Sequence, residues 1–146
     1  MSEPQGILSL LTLGVANLER SIEFYQALGF LRKARGAEGV GFFQAGASAF
    51  AVWPSEELTK DANIASPTPA GAFRGVALAW NCRSERDVDA AIERARRAGA
   101  KIQKMPQKTF WGGYVGYFYD PDGHLWEVAY NPGFPLTGDG RLTLPD

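Results

Sequence analysis

Gly113-Tyr114-Val115-Gly116-Tyr117-Phe118-Tyr119-Asp120-Pro121-Asp122-Gly123-His124-Leu125-Trp126-Glu127-Val128-Ala129-Tyr130 consists of two aromatic, β-branched runs around Asp-Pro-Asp-Gly. The four central residues are strong turn formers: proline presets φ, glycine supplies positive φ, and aspartate bonds its own backbone. The stretch predicts a β-hairpin with strands over 113–119 and 124–130. With Pro121 and Asp122 at the tip, Tyr119 pairs with His124 and Gly116 faces Glu127. Side chains alternate along a strand, so Tyr114 and Phe118 would share the face of Glu127.

Working outward, Lys101 to Lys104 is a further strand, and before it lies a helix. Ser84 with Asp87 three residues on gives a capping-box-like start, Val88, Ala91, Ile92, Ala95 and Ala98 form an apolar stripe, and Gly99 ends it. Val76 to Trp80 supplies a strand ahead of that helix. The same order stands earlier in the chain. Ile7 to Val15 reads as a strand, Asn17 as an N-cap, and Leu18, Ile22, Tyr25 and Leu28 as a helical stripe ending at Gly29. Val40 to Ala45 and Ala47 to Trp53 follow as two antiparallel strands with a turn at Gly46.

The chain is thus an internal repeat of the β-α-β-β-β kind, an α+β arrangement in one domain of 146 residues. The first module covers about 7–60, a Pro- and Ala-rich linker about 61–73, the second module about 74–131, and an irregular tail 132–146. About 65 residues is too short to bury a good core alone, which is a physical reason for two modules to pair.

Composition closes several doors. Fifteen Lys+Arg against sixteen Asp+Glu leave a net charge of −1, without the basic surface that nucleic-acid binding requires. One cysteine, Cys82, makes no internal disulfide. One histidine, His124, excludes a metal site needing two imidazoles from the same chain. The first residues lack the basic character of a secretory signal, and no apolar run approaches the ~20 residues of a membrane span, so the expectation is a cytoplasmic protein without membrane partners.

Leu11-Thr12-Leu13-Gly14-Val15-Ala16-Asn17-Leu18-Glu19-Arg20-Ser21, Phe24-Tyr25, Leu28-Gly29-Phe30 and Asp120 to Glu127 resemble the vicinal oxygen chelate superfamily: glyoxalase I, bleomycin-resistance proteins and extradiol dioxygenases. The likeness runs over about 8–131 and is greatest to members of unassigned function carrying a segment like Phe110 to Tyr114. It implies an open, cup-shaped mixed sheet with helices outside and a ligand in the cup. Catalytic relatives hold one divalent metal through three or four ligands, whose positions fall here at Leu10, near Ala49 or Ala51, at Gly75 and at Glu127. Only Glu127 can ligate, so no metal and no cofactor is expected unless non-standard ligands join it.

The carried-over positions imply that Leu10, Thr12 and Gly14, then Gly75, Ala77 and Ala79, and Leu125, Glu127 and Ala129 face the cup, with Val76, Leu78, Trp80, Trp126 and Val128 on the other side. Small residues free volume where the metal would sit, and aromatics plausible at the rim and wall give a small-molecule site of Leu10, Thr12, Trp111, Tyr114, Phe118 and Glu127. Glu127 is the one candidate catalytic residue, as a general base or a partner for a hydroxyl, amine or cation; the alternative is a salt bridge to a nearby Arg or Lys. His124 reads as a hairpin-end surface histidine and Cys82 as a small buried residue.

Two functions compete. The first is a small-molecule binder without the standard metal, sequestering its ligand or acting on it through Glu127. The second is a metal-dependent lyase, isomerase or dioxygenase using Tyr114, His124 or Asp residues as unusual ligands. A purely structural module is a third class. The resemblance to bleomycin-resistance proteins, which bind drug between two subunits, implies a homodimer.

Overall fold

The structure, a computed structural model, describes residues 3–67, 69 and 72–146. Along the chain run β1 (Leu11–Val15), α1 (Leu18–Ala27), β2 (Leu31–Lys33), β3 (Gly41–Ala45), β4 (Ser48–Pro54), α2 (Ser55–Asp61), β5 (Ala77–Cys82), α3 (Glu85–Arg97), β6 (Lys101–Lys108), β7 (Tyr114–Tyr119) and β8 (Leu125–Tyr130). Both long helices begin where capping side chains stand. Asn17 Oδ1 accepts from Arg20 N–H and Ser84 Oγ from Asp87 N–H, each at 3.1 Å. Three residues of the expected linker, Thr68, Ala70 and Gly71, lie outside the described residues.

The repeat appears as two four-stranded mixed sheets, ordered β1-β4-β3-β2 and β5-β8-β7-β6. In each, the first strand lies parallel to the last and the remaining pairs are antiparallel. The helix-packed faces of the two sheets meet in a single core. Phe50 of β4 and Trp126 of β8 stand 5.7 Å apart between ring centroids, and Tyr25 of α1 packs on both, at 4.9 and 5.9 Å. Phe118 stacks on Trp126 at 6.1 Å. Each such aromatic contributes about 1.5–3 kcal/mol by burial, and each module supplies only part of the cluster, so the pairing of modules is what closes the core.

Several expectations shift. The first strand begins at Leu11, not Ile7: Leu11 pairs with Phe50 and β4 itself starts at Ser48, which leaves Ile7 and Leu8 no strand to bond. Ile7 and Leu8 are accordingly exposed, and Val76 is half-exposed ahead of β5 rather than packed. The short strand β2 and helix α2 carry no strong sequence signal and come as additions. The expected tail is irregular but anchored: Arg83 Nη2 donates to Thr137 O at 2.7 Å, and a Cβ on Gly46 would lie 2.8 Å from Asp139 O.

The hairpin register differs by one residue. Asp120 N–H donates to His124 O and Gly123 N–H to Asp120 O, with Gly123 at φ +82°, so the loop has three residues: a type I turn closed by a left-handed glycine. Tyr117 therefore faces Glu127, while Gly116 faces Val128 and Phe118 faces Trp126.

Candidate ligand-binding face

That single step in register reassigns the site. Phe118 is fully buried in the core, and Tyr114, on the same face of β7, donates from its hydroxyl to Asp89 Oδ1 of α3 at 2.7 Å. Both belong to the helix-packed side. Neither can line a cavity with Glu127, which corrects the expectation for both. Beside Glu127 stands Tyr117 instead, its hydroxyl donating to Glu127 Oε2 at 2.8 Å.

The outer face of the second sheet reads as three rows across the strands. Ala77, Leu125, Tyr119 and Lys101 form the first, and Ala79, Glu127, Tyr117 and Lys104 the second. Asn81, Ala129, Val115 and Gln107 form the third. Ala77 and Ala79 are exposed methyls beside a half-buried carboxylate, so a ligand can approach Glu127 from that side. Burial, and then the bond to Glu127, raise the Tyr117 phenol above its ordinary value, so it stays protonated and donates. Glu127 enters none of the ion pairs among the described residues, so the salt-bridge alternative does not hold.

Leu10 and Thr12 lie on the other module. Leu10 precedes β1 and is 43% exposed, and Thr12 shares an outer-face row with Ala51, Phe42 and Lys33. That face and the face of Glu127 point away from the shared core, so one chain does not bring Leu10 and Thr12 to Glu127. Trp111 lies in the loop between β6 and β7, half-exposed, its ring resting on Gly113; a Cβ there would come within 2.0 Å of the ring. Phe110 next to it is fully exposed.

Two other carboxylates of the hairpin are spent on the fold. Asp120 Oδ1 accepts the backbone N–H groups of Asp122 and His124, and Oδ2 accepts the Tyr25 hydroxyl at 2.6 Å. Trp126 Nε1 donates to that same Tyr25 hydroxyl. Asp122 accepts from Ala16 N–H at 2.8 Å, from the Ser21 hydroxyl and from Arg20, all in the first module. His124 is a half-buried residue with a partner rather than a free surface histidine: its Nε2 lies 2.7 Å from Gly14 O and ties the hairpin to β1. Burial raises the Asp120 carboxyl despite the opposing bond from Tyr25 and the nearby His124. Burial, with Asp87 adding to it, pushes the Cys82 thiol up to about 11, which suits a packing residue rather than a nucleophile.

Two cavities accompany these elements. One of about 490 Å³ lies between the end of β1, α2 and Arg74 and includes no expected site residue. The other, about 430 Å³, is lined by Lys101 and Tyr119 of the outer face and by the hairpin tip. The donor set for a divalent metal does not fit. Leu10, Ala49, Ala51 and Gly75 carry no ligating side-chain atom, and no group of three His, Cys, Asp or Glu gathers among the described residues. No described helix is long and apolar enough to cross a membrane.

The fold defines a paired-module protein of the glyoxalase type. The chain belongs to the Glyoxalase/Bleomycin resistance protein/Dioxygenase superfamily, whose profile matches residues 7–128. It is similar to a glyoxalase-related enzyme from Fulvimarina pelagi at 33% identity and TM-score 0.87, over 97% of this chain and all of that one. A glyoxalase/bleomycin resistance protein/dioxygenase from Nocardioides matches at 25% identity and TM-score 0.73, over 88% and 85% of the two chains. A lactoylglutathione lyase from Agrobacterium tumefaciens shares the fold at 19% identity and TM-score 0.67, over 88% and 96%. No functionally curated protein matches the sequence.

Proposed function

We propose that this protein binds a small molecule on the outer face of its second sheet, at Glu127 and Tyr117, without the divalent metal of its catalytic relatives. The observation that carries the reading is the Tyr117–Glu127 hydrogen bond of 2.8 Å beside the exposed Ala77 and Ala79. A carboxylate that is half-buried and takes only a phenol as partner keeps one oxygen available for a ligand hydroxyl, amine or cation. The ligand is sequestered, or a proton is moved at Glu127 Oε1.

A second copy of the chain completes the site. The outer faces expose Leu31 on one sheet and Ala77 and Ala79 on the other, with Leu10 beside β1, and nothing among the described residues covers them. The match to proteins of the bleomycin-resistance type favours the same arrangement.

Native mass spectrometry of protein purified without chelator tests the reading. A small organic molecule released on denaturation, and lost from the Glu127→Gln variant, is the expected result. Stoichiometric Ni, Zn, Mn or Fe that disappears in Glu127→Gln would overturn it in favour of a metal-dependent lyase, isomerase or dioxygenase. A monomer by light scattering would remove the second copy from the site.

A further inference from the structure

The charges flanking Glu127 give the ligand a chemical class, and this inference rests on the proposed binding face. Lys104 stands directly across from Tyr117, and Tyr117 directly across from Glu127. One row of the sheet therefore runs ammonium, phenol, carboxylate, methyl. In the adjoining row Lys101 holds its Nζ 5.9 Å from the centre of the outward Tyr119 ring. The ion pairs among the described residues are Arg20–Asp122, Lys60–Glu57 and Arg96–Glu93; Glu127, Lys101 and Lys104 take part in none. The cavity of about 430 Å³ beside Lys101 contains one other charged residue, Asp120, whose carboxylate is already bonded to Tyr25 and two backbone N–H groups. The charge this cavity offers a ligand is thus the Lys101 ammonium.

We infer that the ligand is an organic anion that also carries a hydroxyl or amine, with its acid at Lys101 and Lys104 and its hydroxyl or amine at Glu127 and Tyr117. Lysines on an edge strand such as β6 also discourage strand pairing, but that role does not place one of them over an aromatic ring at the mouth of a cavity. Adjacent strands are about 4.8 Å apart, so the Lys104 and Glu127 backbones lie about 10 Å apart. That spacing suits a molecule about one aromatic ring long. The half-buried Tyr117 and Tyr119 rings, on the outer side of the sheet, offer such a molecule a face to pack on.

Three probes separate the parts: 4-hydroxybenzoate has both groups, 4-hydroxybenzamide lacks the anion, and benzoate lacks the hydroxyl. In NMR titrations of the full chain at low salt, 4-hydroxybenzoate is expected to bind about tenfold tighter than 4-hydroxybenzamide. The preference shrinks in about 0.5 M NaCl, since exposed ammonium groups are screened. In K101M/K104M the amide still binds and the preference is gone; K101Q and K104Q singly serve if the double variant is unstable. Glu127→Gln weakens 4-hydroxybenzoate toward benzoate. Equal binding of acid and amide to the wild type, or a preference that survives loss of both lysines, overturns the inference and leaves the face a ligand site. Binding of none of the three removes the site itself, and this inference with it.

Discussion

One hairpin carries two kinds of carboxylate. At its tip, Asp120 and Asp122 are 4% and 3% exposed and hold six donors between them. Seven residues from Asp120 along the chain, Glu127 is half-exposed and takes one, from Tyr117. The first pair is saturated by the chain and joins the modules. The last is left with capacity for something outside the chain. An acid in a folded protein is read by how many of its lone pairs the protein has already used, not by its proximity to a family motif.

Four substitutions or titrations can break that contrast. Asp122→Ala strands the Ala16 N–H and the Ser21 hydroxyl and removes the partner of Arg20, so we expect a loss of about 3 kcal/mol in urea unfolding. A loss below about 0.5 kcal/mol would make the tip an ordinary surface turn. Tyr25→Phe removes the hydroxyl between Asp120 and Trp126 while keeping the ring, for about 1–2 kcal/mol by the same measurement. A neutral result there would mean that Asp120 is satisfied by its own backbone alone.

The third uses pH. The folded-state pKa of Asp120 is raised by burial, so the native state holds that proton more tightly than the unfolded chain. Its contribution is fully present below the ordinary Asp value of about 3.9 and is lost as pH rises through the folded value. Stability of the wild type relative to Asp120→Asn should therefore rise as pH falls from neutral toward about 4; a flat difference contradicts the assignment. The smallest effect belongs to Glu127→Gln, which should change the free energy of urea unfolding by less than about 0.5 kcal/mol while changing ligand retention. A destabilisation matching that of Asp122→Ala would make Glu127 one more structural acid.

Much of the fold was legible because local chemistry and tertiary structure agree. Asn17 and Ser84 cap where they must, Gly29 and Gly99 follow the helix ends, and the apolar stripes of α1 and α3 are the faces that become buried. The site was less legible for a specific reason. Asp-Pro-Asp-Gly marks a turn but does not say whether two or three residues form the loop. Since strand side chains alternate, an error of one residue moves every side chain to the other face. Tyr114 and Phe118 were thus expected beside Glu127 and are found in contact with α3 and the core, while Tyr117, the true neighbour, went unnoticed. Pairing the left-handed Gly123 with a type I turn was the signal that could have found it. His124 was misread because its partner, the carbonyl of Gly14, lies 110 residues away in sequence.

The three-residue loop at Pro121 to Gly123 also bears on how this chain can diverge. Gain or loss of one codon there would exchange the outward phenols of Tyr117 and Tyr119 for Gly116 and Phe118, and would turn a core aromatic to solvent. The same event would unseat both aspartates from the first module. Length change at this hairpin is therefore closed as a route to new ligands. Descendants of this sequence can alter what Glu127 meets only by substitution on the neighbouring strands, at positions such as 79, 104 and 117, where a change touches the ligand without moving the frame.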